Sequence, residues 1–155
     1  MNIRCLIIDD EPSSQNVLKS FIQKIDYLEY VDVCNNALEA LEFLKSNPID
    51  LLFLDINMPV KDGIEVLKEF TVRGYCCKVI VLSSYDDFKL IKEVLKLGAS
   101  GYLSKHCAGE SIIEAIMTVA SGKEYYSQNI RDKIFSSFTT SGSNTSESKA
   151  TLLPL

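Results

Sequence analysis

The sequence contains no apolar run longer than about six residues, far short of the roughly 20 that a membrane-spanning helix requires. Its N-terminus, MNIRCLIIDDEP, has an apolar stretch too short for a secretory signal, and acids follow it directly. A cytoplasmic protein without a membrane segment is expected. A basic excess is also missing: the net charge is −5, with acids and bases interspersed. That argues against a domain that itself grips nucleic acid, which usually presents a basic face. Only one histidine, His106, is present, and the five cysteines include no CxxC pair. A soft metal site built from imidazoles and thiolates is therefore not expected. Cys5 and Cys34 fall inside apolar runs, and Cys76 and Cys77 are adjacent. The cysteines read as small hydrophobes in a reducing compartment.

What is present is one core's worth of apolar residues, 46% of 155. Five short runs, IRCLIID (3–9), YVDVCN (30–35), IDLLFLD (49–55), KVIVLS (78–83) and SGYLS (100–104), alternate with helical periodicities. The first, third and fourth runs are almost continuously apolar, as in strands covered on both faces. Between them, Val17, Leu18, Phe21, Ile22 and Ile25 form one helical stripe, and Ala37, Leu38, Leu41 and Leu44 a second, stopped by Pro48. Three further stripes are closed by Gly74, Gly98 and Gly122, the usual C-terminal helix stop. Five alternations predict an α/β fold with a doubly wound parallel sheet and helices on both faces. Residues 1–125 read as one domain. Residues 126–138 contain a stretch, SQNIRDKIFSSF, that fits an additional C-terminal helix. Residues 139–155 read as a flexible linker or tail, leading either to an output domain not in this chain or to nothing further.

The polar residues fall where a parallel sheet gathers its ligands. The first run ends in Asp9, Asp10 and Glu11, the third in Asp55 and the fourth in Ser83, while Lys105 follows the fifth. In such sheets the carboxyl ends of all strands share one edge, and ligands bind there. Singly, each residue has an ordinary role. Asp9 or Asp10 could cap the helix that begins near Pro12, Asp55 could open a turn, and Ser83 and Lys105 could simply face water. Together, at the ends of four strands, they point to a site. Clustered carboxylates repel one another, and one takes up a proton unless a cation joins them. Carboxylate oxygens with water suit Mg²⁺. A carboxylate can also act as nucleophile toward a phosphoryl group, with Lys105 and Ser83 left to pair with phosphoryl oxygens.

Taken in order, LIIDDEP, LDINMPVKDG, VLSSYDD and GASGYLSK resemble the receiver domain of bacterial two-component response regulators over about residues 1–125. The resemblance implies a flavodoxin-like fold of five strands in the order 2-1-3-4-5. It implies that Asp55 is the phosphoacceptor and that Mg²⁺ is held by Asp10, by Asp9 mainly through water, by Asp55 and by the backbone carbonyl of Asn57. Ser83 becomes the switch hydroxyl, Lys105 the phosphoryl-pairing lysine, and Tyr102 the aromatic that changes rotamer, against an ordinary half-buried aromatic in an edge strand. Asn57 and Tyr85 occupy the positions that tune phosphoryl lifetime. The implied partners are a sensor histidine kinase or phosphotransfer protein and a homodimer mate, with DNA contacted only through an output domain. GYLSKHCAGESIIEAIMTVASGKEYYS is similar to receivers of the NarL/FixJ type. One departure stands out: many receivers have a cis proline after the lysine, and here the residue is His106. A non-proline cis bond costs about 3–4 kcal/mol.

Three other functions compete. A haloacid-dehalogenase-like phosphohydrolase needs a second acid two residues after its nucleophile, where this chain has Asn57. A flavodoxin-like cofactor binder needs a phosphate-cradling loop after the first strand, and DDEPSS is acidic. A degenerate receiver would not carry the full acid, hydroxyl and lysine set. The expectation is a phosphorylation switch that catalyses its own modification and slow dephosphorylation but is not a turnover enzyme. Its output surface is formed by the fourth helix, fifth strand and fifth helix.

Overall fold

The computed structural model describes residues 2–58, 63–74, 77–84, 88–107, 109–126, 130–132 and 135–136. Strands β1 (Ile3–Ile8), β2 (Leu28–Cys34), β3 (Leu51–Asp55), β4 (Lys78–Ser83) and β5 (Gly101–Ser104) alternate with helices α1 (Pro12–Gln23), α2 (Ala37–Ser46), α3 (Gly63–Arg73), α4 (Phe88–Lys96) and α5 (Gly109–Ala120). A two-residue strand, β6 (Tyr125–Tyr126), follows α5. All pairings are parallel, in the order β2-β1-β3-β4-β5-β6. The expected order is therefore correct for five strands, and a sixth is added at the edge. The proposed domain boundary at 125 cuts through that strand. Two residues carry too little periodicity to be read as a strand; pairing with β5 makes them one.

Alternation along each strand explains the near-continuous apolar runs. Leu6, Ile8, Leu52, Leu54, Val79 and Val81 pack beneath α2, α3 and α4. Cys5, Ile7, Leu51, Phe53, Ile80 and Leu82 pack beneath α1 and α5. Each strand thus feeds two cores, as a sheet sandwiched between helix layers requires. The helical stripes are wider than the buried surface: Val17, Leu38 and Met117 are exposed.

Gly74, Gly98 and Gly122 all end helices at positive φ, 70°, 88° and 95°. Asn36 caps α2, accepting from the Glu39 amide at 2.9 Å and donating to its carboxylate at 3.1 Å. Of the additional helix expected over 127–138, residues 130–132 and 135–136 are helical and the others lie outside the described residues. So does all of 139–155, expected as a linker or tail. No helix among the described residues is long and apolar enough to cross a membrane.

Candidate functional site

Parallel pairing brings four strand ends to one edge. Ile8 is in register with Leu54, Asp55 with Leu82, and Ser83 with Ser104. The strands stay tied just past these points: the Asp9 amide donates to Cys34 O at 3.0 Å and the Lys105 amide to Ser83 O at 2.8 Å. Continuing the alternation, Asp9, Asp55 and Lys105 lie toward the α1/α5 face and Ser83 toward the α4 face.

Lys105 is the hub. Its Nζ lies 2.7 Å from Glu11 Oε1, 3.0 Å from Asp55 Oδ2 and 3.5 Å from Asp9 Oδ1. The Lys105 side chain is only 8% exposed, Asp55 1% and Asp9 0%. Burial alone would lower the ammonium's pKa; its hydrogen bonds to Glu11 and Asp55, and the charges of Asp55 and Asp9, more than reverse that, so it is raised. The same hydrogen bond to Lys105 holds Glu11 below the usual carboxylate range. Asp9 is pushed the other way, up to about 6, chiefly by burial and then by the neighbouring Asp55 charge. Asp10 is exposed, and residual desolvation with the Asp55 charge raises it too.

The loops hold these carboxylates in place. Asp9 Oδ1 accepts from the Glu11 amide at 2.9 Å, and Asp55 Oδ1 from the Asn57 amide at 2.8 Å. Neither Asp9 nor Asp10 caps α1. Glu11 stands at the cap position without a side-chain capping bond, and Pro12 opens the helix. Asn57 Oδ1 accepts from Ser83 Oγ at 3.2 Å and from the Ser84 amide at 2.9 Å, so it ties the loop after β3 to the loop after β4. Tyr102 is fully buried, and β5 is not an edge strand, because β6 covers it. His106 is exposed, and its peptide bond with Lys105 is trans; no cis bond occurs among the described residues. Tyr85 and Cys76 lie outside the described residues.

Asp9, Asp10, Glu11 and Asp55 each place an oxygen within 4.8 Å of the others. Among the described residues, Asp9 Oδ2 is the buried side-chain oxygen without a hydrogen-bond partner. Four carboxylates against one ammonium, with a buried oxygen unmatched, form a donor set that fits a hard divalent cation such as Mg²⁺. The family resemblance gives Glu11 no role in the cluster. Its only signal in the sequence is that it continues the acidic run of Asp9 and Asp10. A cavity of about 230 Å³ adjoins the cluster, lined by Ser13, Ser14 and Leu18 of α1, Ile112 of α5, and Asp9 and Lys105.

The chain belongs to the response regulator receiver domain family, whose model matches residues 5–117. Curated relatives include the transcriptional regulatory protein LnrK of Bacillus subtilis, 38% identical over 120 residues, covering 77% of this chain and 54% of that protein. The transcriptional regulatory protein DegU of Brevibacillus brevis is 35% identical over 123 residues, covering 79% and 52%. The chain thus spans about half the length of these relatives. Among solved structures, a LuxR-family two-component response regulator from Aurantimonas sp. SI85-9A1 matches with a TM-score of 0.84 at 19% identity, covering 90% of this chain and 99% of that one. The isolated receiver domain of RcsB from Salmonella enterica serovar Typhimurium matches with a TM-score of 0.80 at 21% identity, over 84% and 97%. At these identities the structures speak for the fold. The family accords with the receiver-domain resemblance read from the sequence. Receiver domains are signalling proteins, not turnover enzymes.

Proposed function

We propose that Asp55 accepts a phosphoryl group from the phosphohistidine of a sensor histidine kinase or phosphotransfer protein. The observation that carries this is a buried carboxylate, Asp55, with an ammonium 3.0 Å away and three further carboxylates beside it. Asp55 Oδ2 attacks phosphorus, the phosphorus–nitrogen bond breaks, and the imidazole leaves with a proton from solvent. Lys105 stays beside the new acyl phosphate and neutralises one phosphoryl oxygen. Ser83 Oγ, which donates to Asn57 Oδ1, turns to donate to another. Asp9, Asp10, Asp55 and the Asn57 backbone carbonyl would hold Mg²⁺, with Glu11 at hand. When bound, the ion supplies charge neutralisation between carboxylates and phosphoryl oxygens.

The step is positional and electrostatic, since phosphoryl transfer asks little covalent chemistry of the protein. Asn57 stands where a hydrolase would need a second acid, so the modified state is not turned over rapidly and can act as a signal. Drawing Ser83 inward moves the loop after β4. Tyr102 lies on the same face of the sheet as Ser83, so the change reaches the α4–β5–α5 surface. That surface would control dimerisation or an output domain that contacts DNA, in a cytoplasmic protein. That the curated relatives LnrK and DegU are transcriptional regulatory proteins supports transcription as the output.

Intact-mass measurement after incubation with acetyl phosphate and Mg²⁺ tests this reading. One added phosphoryl group is expected in the parent and none in Asp55→Asn. Phosphate released over many turnovers per second would replace the switch with a hydrolase.

A further inference from the structure

β6 and residues 130–132 lie beyond the segment that the family model matches, yet they are built into the sheet and its core. Tyr125 and Tyr126 are in register with Gly101 and Tyr102. The Tyr125 amide donates to Ser100 O at 3.0 Å. Arg131 fastens the segment to itself: Nε donates to Tyr126 O at 2.8 Å and the guanidinium sits 5.7 Å from the Tyr125 ring centre. Ile130 is 0% exposed and belongs to the same apolar cluster as Tyr102, Ile91 and Val94, with Tyr126 packed against it. An aromatic ring on an uncovered edge strand keeps one side wet. Tyr102 is fully buried, β6 extends the sheet beyond β5, and Ile130 is buried in the same cluster as Tyr102.

We propose that Ile130 is a positioning residue for Tyr102, so that the seated segment, meaning Tyr125–Tyr126 with residues 130–132, and the inward ring form a single two-state element. The ring cannot swing outward while this segment is seated without overlapping packed atoms, and the segment cannot seat fully over an outward ring. Any event that favours the inward ring must favour seating, and the reverse holds with equal strength. Resting on the phosphorylation reading above, a phosphoryl group on Asp55 tightens the segment after α5. The signal then leaves the domain along the covalent chain that continues from residue 132, as well as across the α4–β5–α5 surface. The hydrogen bonds of Tyr125 and Arg131 run to Ser100 and Tyr126, and Ile130 lies in the apolar core, so the segment's role is to hold a conformation and not to take part in phosphoryl transfer.

Two measurements decide the matter. In the first, unmodified protein is treated with tetranitromethane and Tyr102 nitration is followed by peptide mapping in the parent, Ile130→Ala and Ile130→Val. The expected rise at Tyr102 is about tenfold in Ile130→Ala, in the range of ordinary coupling between two sites, and much smaller in Ile130→Val. Equal protection of Tyr102 in a folded Ile130→Ala protein overturns the proposal. In the second, amide exchange at Tyr126 and Arg131 is compared in the parent before and after one phosphoryl group has been verified by intact mass. Slowing by about fivefold or more is expected. Unchanged exchange there, with altered exchange at Ser83, also overturns it. Absence of phosphoryl uptake removes the Asp55 reading instead, and the nitration series still decides the role of Ile130.

Discussion

Lys105 Nζ lies 3.0 Å from Asp55 Oδ2, although 50 positions separate the two residues in the chain. Both are buried, and Lys105 also reaches Glu11 and Asp9. Its removal leaves buried carboxylates without their only close cation among the described residues. Breaking one side of a buried pair costs about 3–5 kcal/mol. Lys105→Met is therefore expected to unfold at markedly lower urea, without divalent cation, at pH 7. The loss should shrink in an Asp55→Asn background, where less negative charge is stranded. An unchanged midpoint in the single variant contradicts the pairing.

The unmatched Oδ2 of Asp9 leads to a metal prediction. Mg²⁺ binding to the folded state alone stabilises by about 2.7 kcal/mol at one hundred times its dissociation constant. Thermal unfolding should shift upward with Mg²⁺ in the parent. Asp9→Asn removes one of the crowded charges, so it should be more stable than the parent without metal and respond less to its addition. Equal Mg²⁺ responses in both proteins would take Asp9 out of the cation site.

Gly63 opens α3 directly against the loop that begins at Asp55. A Cβ there would lie 2.5 Å from Ile56 Cα and 2.9 Å from Asp55 O, both backbone atoms. Because the backbone must yield, Gly63→Ala is expected to cost about 1–3 kcal/mol, the usual range for overpacking. It should also slow acetyl-phosphate labelling by displacing Asp55. Wild-type labelling together with wild-type stability would show that α3 can retreat freely.

The buried thiols set an alkaline limit. Burial, reinforced by nearby carboxylates, pushes Cys5 and Cys34 from 9.0 up to about 12. A raised pKa in the folded state means that the stabilisation is complete below 9 and is lost as pH rises toward 12. Each thiol should contribute a loss of about 1.4 kcal/mol per pH unit across that window. Urea midpoints at pH 8, 9.5 and 10.5 should fall accordingly, and less steeply in Cys5→Ala. Iodoacetamide at pH 8 should label both residues only after unfolding. Rapid native labelling of Cys34 is the outcome that rules this out.

Much of this molecule was legible as sequence. The continuous runs at 3–9, 49–55 and 78–83 declared strands covered on both faces, since exposed faces would have demanded polar alternation. Gly74, Gly98 and Gly122 marked helix ends because L side chains resist positive φ. Asp9, Asp55, Ser83 and Lys105 could be assigned to one edge because parallel strands must end together.

Other features depended on contacts between distant segments, which periodicity does not encode. Tyr125–Tyr126 becomes a strand only because β5 offers it an unpaired edge, and in register with it Tyr102 is wholly buried. Glu11 joins the site because Lys105, 94 positions away, reaches it. Asn57 turns its side-chain oxygen to Ser83 and Ser84, a bridge between two loops that neither loop specifies alone. The sequence by itself thus determined the order of elements, the two-sided sheet and the edge where the charged residues meet, because hydrophobic pattern and backbone stereochemistry are local properties. Which carboxylate holds the ammonium, which oxygen is left unmatched and what closes over Tyr102 were decided by the tertiary structure, because charge pairing and burial are settled by distance in space.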